Sequence, residues 1–210
     1  MAEPARRTAA FGGLQIAYDD RVLEPCPWTA AQSAWAAELA EQAPEGDVLE
    51  LCTGAGQIGL LAAAGSSRRL VAVDADPTAA SYARVNARAA GLADRVEVRL
   101  TRLEDALGPD ERFPVVIADP PWVTRRRTGA FPADPLSAID GGDDGLDVAR
   151  ACLEVIERHL APGGAAVLQV GSAEQAAVLR EWVRGRGVLT LGETRVHDRG
   201  VLARLDHAAR

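Results

Sequence analysis

An α/β fold, a Rossmann-like doubly wound sheet that is mostly parallel, is what this chain predicts, and three observations predict it. Short apolar runs and helical patterns alternate five times along the sequence, as in a parallel sheet covered on both faces. A glycine-rich turn, CTGAGQIG at 52–59, follows the first strong strand. Two acids, Asp74 and Asp119, stand at the ends of later strands. In a doubly wound sheet these positions share the carboxyl edge, where ligands bind. Their convergence is a consequence of the fold and counts as one observation.

The elements follow in order. Residues 1–10 are small and polar and read as a mobile tail. The alternation from Leu14 to Tyr18 predicts a short strand or hairpin arm. Pro25 and Pro27 make 21–29 irregular, and Thr29 is placed to cap the next helix. Ala34, Trp35 and Leu39 recur at helical spacing within 30–42, which stops ahead of Pro44. Residues 1–45 thus form a predicted tail, strand arm and helix packed on a main domain, 46–210. Its strands are predicted at 47–51, 70–74, 96–100, 115–118 and 165–170. Helices are predicted from 57 to about 64, from 76 or 77 to about 90, over 146–160 and over 173–186. Pro77 suits a first helical turn, and Gly91 a residue just past a helix end. Residues 103–107 read as one helical turn. Pro162-Gly163-Gly164 reads as the turn into the fifth strand. Runs at 188–195 and 200–205 close the sheet as an antiparallel pair, for seven strands in all. The long 124–145 stretch, with Pro132, Pro135, Gly141 and Gly142, has the composition of a loop over a site.

Composition narrows the function classes. The 210 residues carry a net charge of −7, which argues against bulk attraction to nucleic acid or an anionic membrane. No apolar run approaches a membrane span, and no apolar segment follows Arg6 and Arg7 as in a signal peptide. Cys26, Cys52 and Cys152 are widely spaced and form no CxxC pair. Neither a disulfide framework nor a zinc site is expected, and free thiols fit a reducing cytoplasm. The acids at 140–147 miss calcium-loop spacing. His159, His197 and His207 are scattered, so no metal is expected.

Asp119-Pro120-Pro121-Trp122 ends the buried run Val115–Ala118. Neither proline can donate to a sheet, so the strand stops there, and two fixed φ angles make the turn stiff. A stiff turn holding an acceptor, Asp119, and a flat ring, Trp122, suits a planar group bearing an NH2.

Gly54-Ala55-Gly56-Gln57-Ile58-Gly59 matches G-x-G-x-x-G, and Asp74 stands 20 residues beyond Gly54. That permits a dinucleotide, with the acid on a ribose diol. The same geometry serves S-adenosylmethionine. Glu50 in the preceding strand favours the second ligand, because a carboxylate suits an ammonium and a sulfonium and opposes a pyrophosphate. The Asp-Pro-Pro-Trp turn also has a task beside a methyl donor and none beside a nicotinamide.

On these residues the chain resembles the class I S-adenosylmethionine-dependent methyltransferases, and among them the HemK-like protein-glutamine methyltransferases that act on peptide chain release factors. The resemblance runs from about Leu14 to Leu205. It rests on RVLEPCPWT, VLELCTGAGQIGL, VAVDADPTAASYARVNA, VIADPPW at the family's Asn-Pro-Pro-Tyr turn, AIDGGDDGLDVAR, LQVGSAEQAAVLREWV and DRGVLARL. Asp119 and Trp122 replace the family's Asn and Tyr, and Cys26 and Trp28 replace an Arg and an acid. Arg102 stands near where many such enzymes place an acid against the adenine. The resemblance implies a donor site of Glu50, Cys52, Thr53, Gly54, Gly56, Asp74, Ala75, Leu103 and Asp119. It implies catalytic residues Asp119, Pro120, Pro121 and Trp122, and an acceptor site of Trp28, Thr29, Trp122 and Arg125. The acceptor is then a protein glutamine or a small molecule. Adenine-amine methyltransferases share an Asp with an aromatic at the fourth position, but the acidic charge disfavours a large nucleic acid. Arg125-Arg126-Arg127 reads as a phosphate or acidic-peptide contact, or as an ordinary solvated loop.

Overall fold

The computed structural model describes residues 5–208. The chain opens with a hairpin of β1 (Arg7–Phe11) and β2 (Leu14–Tyr18), paired antiparallel from Arg7↔Tyr18 to Phe11↔Leu14. The predicted tail is therefore strand from Arg7 onward, because Phe11 packs into the core and the hairpin pairs its backbone; 1–4 lie outside the described residues. Next come α1 (Ala30–Gln42), β3 (Val48–Leu51), α2 (Gln57–Ala64), β4 (Leu70–Asp74) and α3 (Pro77–Ala89). They are followed by β5 (Val96–Leu100), β6 (Phe113–Ala118), a single-turn α4 (Leu136–Ile139) and α5 (Asp147–His159). The chain closes with β7 (Leu160–Val170), α6 (Ala173–Arg186), β8 (Leu189–His197) and β9 (Gly200–His207).

The main sheet has seven strands in the order β5-β4-β3-β6-β7-β9-β8. β9 is antiparallel to both of its neighbours, and the remaining pairs are parallel. From β3 the chain winds outward through β4 and β5, then returns to β6 on the other side. That reversal opens a crevice at the carboxyl ends of β3 and β6.

Alternation along the strands divides the core. Leu49, Leu51, Val116 and Ala118 pack with Leu153 and Ile156 of α5 and Leu179 and Val183 of α6. Val48, Val115 and Ile117 pack with Ile58 of α2, Tyr82 of α3 and Phe11 and Ile16 of the hairpin. Polar ties fix the arm near the crevice. Asn86 on α3 accepts from Ala17 N at 2.8 Å and donates to the carbonyls of Ala17 and Ala55, both at 2.9 Å. Gln32 on α1 donates to the strand-end carbonyls of Ala118 and Val167 at 3.0 and 3.1 Å.

The helix ends carry their own signals. Asp76 accepts from Thr78 N and Ala79 N, the N-cap pattern, with Pro77 at the first helical position. Ser172 caps α6, and Gly187 closes it at φ +71°. Thr29 does not cap α1. It ends a 3₁₀ turn, Pro27–Thr29, that runs directly into the helix, and its hydroxyl donates back to Cys26 O at 2.8 Å. The predicted turn at 162–164 is also absorbed: β7 runs through it, with a register shift opposite Phe113 and Val115 and Gly163 at φ +76°.

Candidate functional site

The loop between β3 and α2 is built by short-range polar contacts. Glu50, buried within the sheet, accepts from Gly59 N at 2.7 Å and from the Thr53 hydroxyl. A Cβ on Gly59 would strike that carboxylate, so glycine there is what admits it. Burial pushes the Glu50 carboxyl up to about 7, against the lowering effect of its two donors. At the next strand end, Asp74 accepts from Gly54 N at 2.8 Å and Asp76 N at 2.9 Å. It is raised by burial, partly offset by those amides. Gly54 sits at φ +55° with open space where a Cβ would lie.

A cavity of about 550 Å³ lies over this loop, within the usual range for ligand pockets. Cys52, Thr53, Gly54, Asp74, Ala75 and Leu103 line it, and Asp119 and Pro121 stand at its wall. A second cavity, of about 330 Å³, is lined by Trp28, Thr29, Pro120 and Trp122. Asp119 lines both. Its carboxylate has no hydrogen-bond partner among the described residues, and burial pushes it up to about 7.

The turn after Asp119 is clamped by the segment 139–147. Val123 N donates to Ile139 O, and Gly141 N to Val123 O, both at 2.9 Å. A Cβ on Gly141 would come within 2.6 Å of Pro121 O, and one on Gly145 would strike Trp122 O. The Gly-Gly-Asp-Asp-Gly run is therefore what lets the two loops touch. The Trp122 ring lies on Gly171 at the end of β7, where a Cβ would collide with it. Gln175 donates to Trp122 O at 3.0 Å. Trp28 packs on Gly200 and against His197, ring centroids 5.6 Å apart.

Three expected ligand contacts are placed otherwise. Glu50 does not line the donor cavity; both its oxygens are turned into the loop, which it braces. Gly56, at φ +87°, makes the entry to α2 and lets that helix approach Ala83 of α3. Arg125 lines neither cavity, because Asp140 and Asp143 hold it at 3.1 and 3.3 Å on the outside of the loop. Arg102 lines the exposed rim of the donor cavity, where it pairs with Glu104 at 2.6 Å. Sequence reading missed Gln57, the first residue of α2, which lines both cavities with its Oε1 buried and unpartnered. It also missed Gln169 and the stretch Arg21–Leu23, all cavity-lining. Each lies in a stretch that carries the family resemblance, but a side chain's approach to a cavity is set by packing and not by the motif.

The donor cavity fits a ligand with a ribose diol and a positive charge. Each Asp74 oxygen takes one loop amide and keeps a lone pair, and the Asp119 carboxylate awaits a partner. With this sheet order, the site defines a class I methyltransferase. The solved structures agree on the fold: the human hMettl16 catalytic domain in complex with a MAT2A 3'UTR hairpin has a TM-score of 0.74 at 17% identity, covering 93% of this chain and 76% of that one. The ribosomal protein L11 methylase from Lactobacillus delbrueckii has a TM-score of 0.63 at 14% identity, covering 91% and 84%.

A family profile, the methyltransferase small domain, matches residues 31–134. The release factor glutamine methyltransferase of Cereibacter sphaeroides is 34% identical over 94% of this chain and 72% of its own length. The ribosomal protein uL3 glutamine methyltransferase of Bradyrhizobium diazoefficiens is 38% identical over 61% of this chain and 41% of its own. The corresponding release factor enzyme of Gloeobacter violaceus is 31% identical over 82% and 62%. The chain belongs to the HemK-like glutamine methyltransferase family of S-adenosylmethionine-dependent enzymes and spans 41–72% of the lengths of these relatives. Membership sets aside the dinucleotide reading of the glycine turn. No helix among the described residues is long and apolar enough to cross a membrane.

Proposed function

We propose that this chain methylates the nitrogen of a planar NH2 group, with the side-chain amide of a protein glutamine as the favoured acceptor. The observation that carries this reading is the Asp119 carboxylate, unpartnered, at the wall shared by two cavities and followed by a clamped Pro-Pro-Trp turn.

S-adenosylmethionine supplies an activated methyl, so the protein's task is alignment. Thr53, Gly54, Asp74, Ala75 and Leu103 would hold the donor. Asp119 and the Pro120 carbonyl accept the two N–H bonds of the acceptor and turn its lone pair out of conjugation. Positive charge grows on that nitrogen, and an anionic Asp119 offsets it more than a neutral Asn would. Trp122 stacks on the planar group. The proton leaves after transfer, so no separate base is needed. A second reading, an adenine amine or small aromatic amine, is favoured by Trp28, Trp122 and Phe131 together lining the smaller cavity. The free thiols support a cytoplasmic setting.

Two measurements test the proposal. In calorimetry, S-adenosylhomocysteine binds at micromolar concentration and NAD does not; binding of NAD alone would overturn the donor site. In a labelled-methyl assay, a synthetic peptide with one glutamine takes up label and adenosine does not; label on adenosine alone moves the acceptor to the second reading. The Trp122 platform has its own test. Gly171→Ala drives a methyl into the ring, so acceptor kcat/KM is expected to fall about 10- to 100-fold by misplacement. Affinity for S-adenosylhomocysteine stays unchanged, because neither residue lines the donor cavity.

A further inference from the structure

Gln169 is 3% exposed, yet its amide makes no hydrogen bond among the described residues, and its Oε1 is fully buried without a partner. Buried side-chain polar groups are nearly always paired, so an unpaired one calls for an explanation. Gln169 lies at the carboxyl end of β7, one step beyond the register pair Ala118↔Leu168. That step sets it beside Asp119 on the neighbouring strand. In-register residues of parallel strands point to one face, and both residues line the smaller cavity.

A primary carboxamide offers two N–H donors and one carbonyl acceptor. Asp119 and Pro120 supply acceptors only, so they leave the substrate's carbonyl unmet. Neither end of the Gln169 amide is engaged among the described residues, and the side chain lines the cavity beside Asp119, so its Nε2, a donor, is available to a ligand there. We infer that Gln169 is a substrate-binding residue whose amide N–H receives the carbonyl oxygen of the acceptor glutamine. It completes, with Asp119 and Pro120, a site that reads all three polar positions of the carboxamide. A site of this kind rejects a carboxylate, which would face Asp119 with no donated N–H of its own. This assignment rests on the proposed glutamine acceptor.

The test is Gln169→Met, which keeps the unbranched chain and removes the amide, with Gln169→Leu as a second variant. The probe is the single-glutamine peptide. Acceptor kcat/KM is expected to fall about 10- to 100-fold, as for a substrate polar group left unpaired on burial. Affinity for S-adenosylhomocysteine is expected to stay at the wild-type value. The melting temperature equals that of wild type or exceeds it, because an unpartnered polar group has been removed. Wild-type kcat/KM in both variants overturns the assignment. A lowered melting temperature with weaker S-adenosylhomocysteine binding also overturns it, since Gln169 is then a structural group. If the wild-type chain labels adenosine and not the peptide, the glutamine reading itself fails and the assignment falls with it.

Discussion

Asp119→Ala lowers kcat by about 100- to 1,000-fold, the usual cost of one preorganised group facing charge that develops in the transition state. S-adenosylhomocysteine still binds, since Thr53, Gly54 and Asp74 remain; wild-type turnover would sink the role given to Asp119. The pH dependence follows from the same side chain. Burial alone raises its carboxyl to about 7, and only the ionised form sets a negative charge against the positive charge growing on the acceptor nitrogen. kcat/KM therefore falls about tenfold per unit below pH 7. Asp119→Asn removes that limb, although the Glu50 carboxyl, which burial also raises, is still present in the variant. Stability moves the other way. The unfolded Asp119 ionises near its ordinary value of 3.8, so the folded chain binds the extra proton between there and about 7. Its contribution is fully present below the lower value and is lost as pH rises through the upper one. Thermal melts should show Asp119→Asn more stable than wild type at pH 8, with the gap closing toward pH 4.

Asp74→Ala weakens S-adenosylhomocysteine by about 100-fold or more, because two sets of hydrogen bonds vanish together. One set is the expected ribose contact. The other ties Gly54 N and Asp76 N to the strand end and shapes the glycine loop before any ligand arrives. Asp74→Asn keeps one acceptor oxygen and gives an intermediate loss. Titration calorimetry of both variants separates the two contributions, and unchanged affinity in Asp74→Ala would show that the ribose lies elsewhere.

Much of this was legible in the sequence. Apolar pattern together with the glycine turn placed helices at 30–42, 57–64 and 173–186 and strands at 70–74 and 96–100, where the fold has them. Local signals carry these instructions: apolar spacing, a glycine turn ahead of a helix, Pro77 at a first turn and Gly91 past a helix end. The carboxyl-edge location of Asp74 and Asp119 also followed from strand–helix alternation, since every parallel strand points its end the same way. Local pattern misled where a neighbour competed for the same group. Thr29 has a capping side chain, but the 3₁₀ turn before it supplies a carbonyl that takes its hydroxyl.

Only the tertiary structure decided which way the site's polar groups face. Glu50 and Arg125 read as ligand contacts in sequence, yet Thr53 and Gly59 claim the first, and Asp140 and Asp143 the second. Gln57 and Gln169 were not read as site residues, yet each lines a cavity with an Oε1 that is buried and unpartnered. The sequence by itself determined the sheet, its ligand edge and the stiff turn at 119–122, because strand period, helix period and proline chemistry are local. Whether a buried polar group braces the protein or meets a ligand depends on which partner lies within about 3 Å, and long-range packing sets that distance.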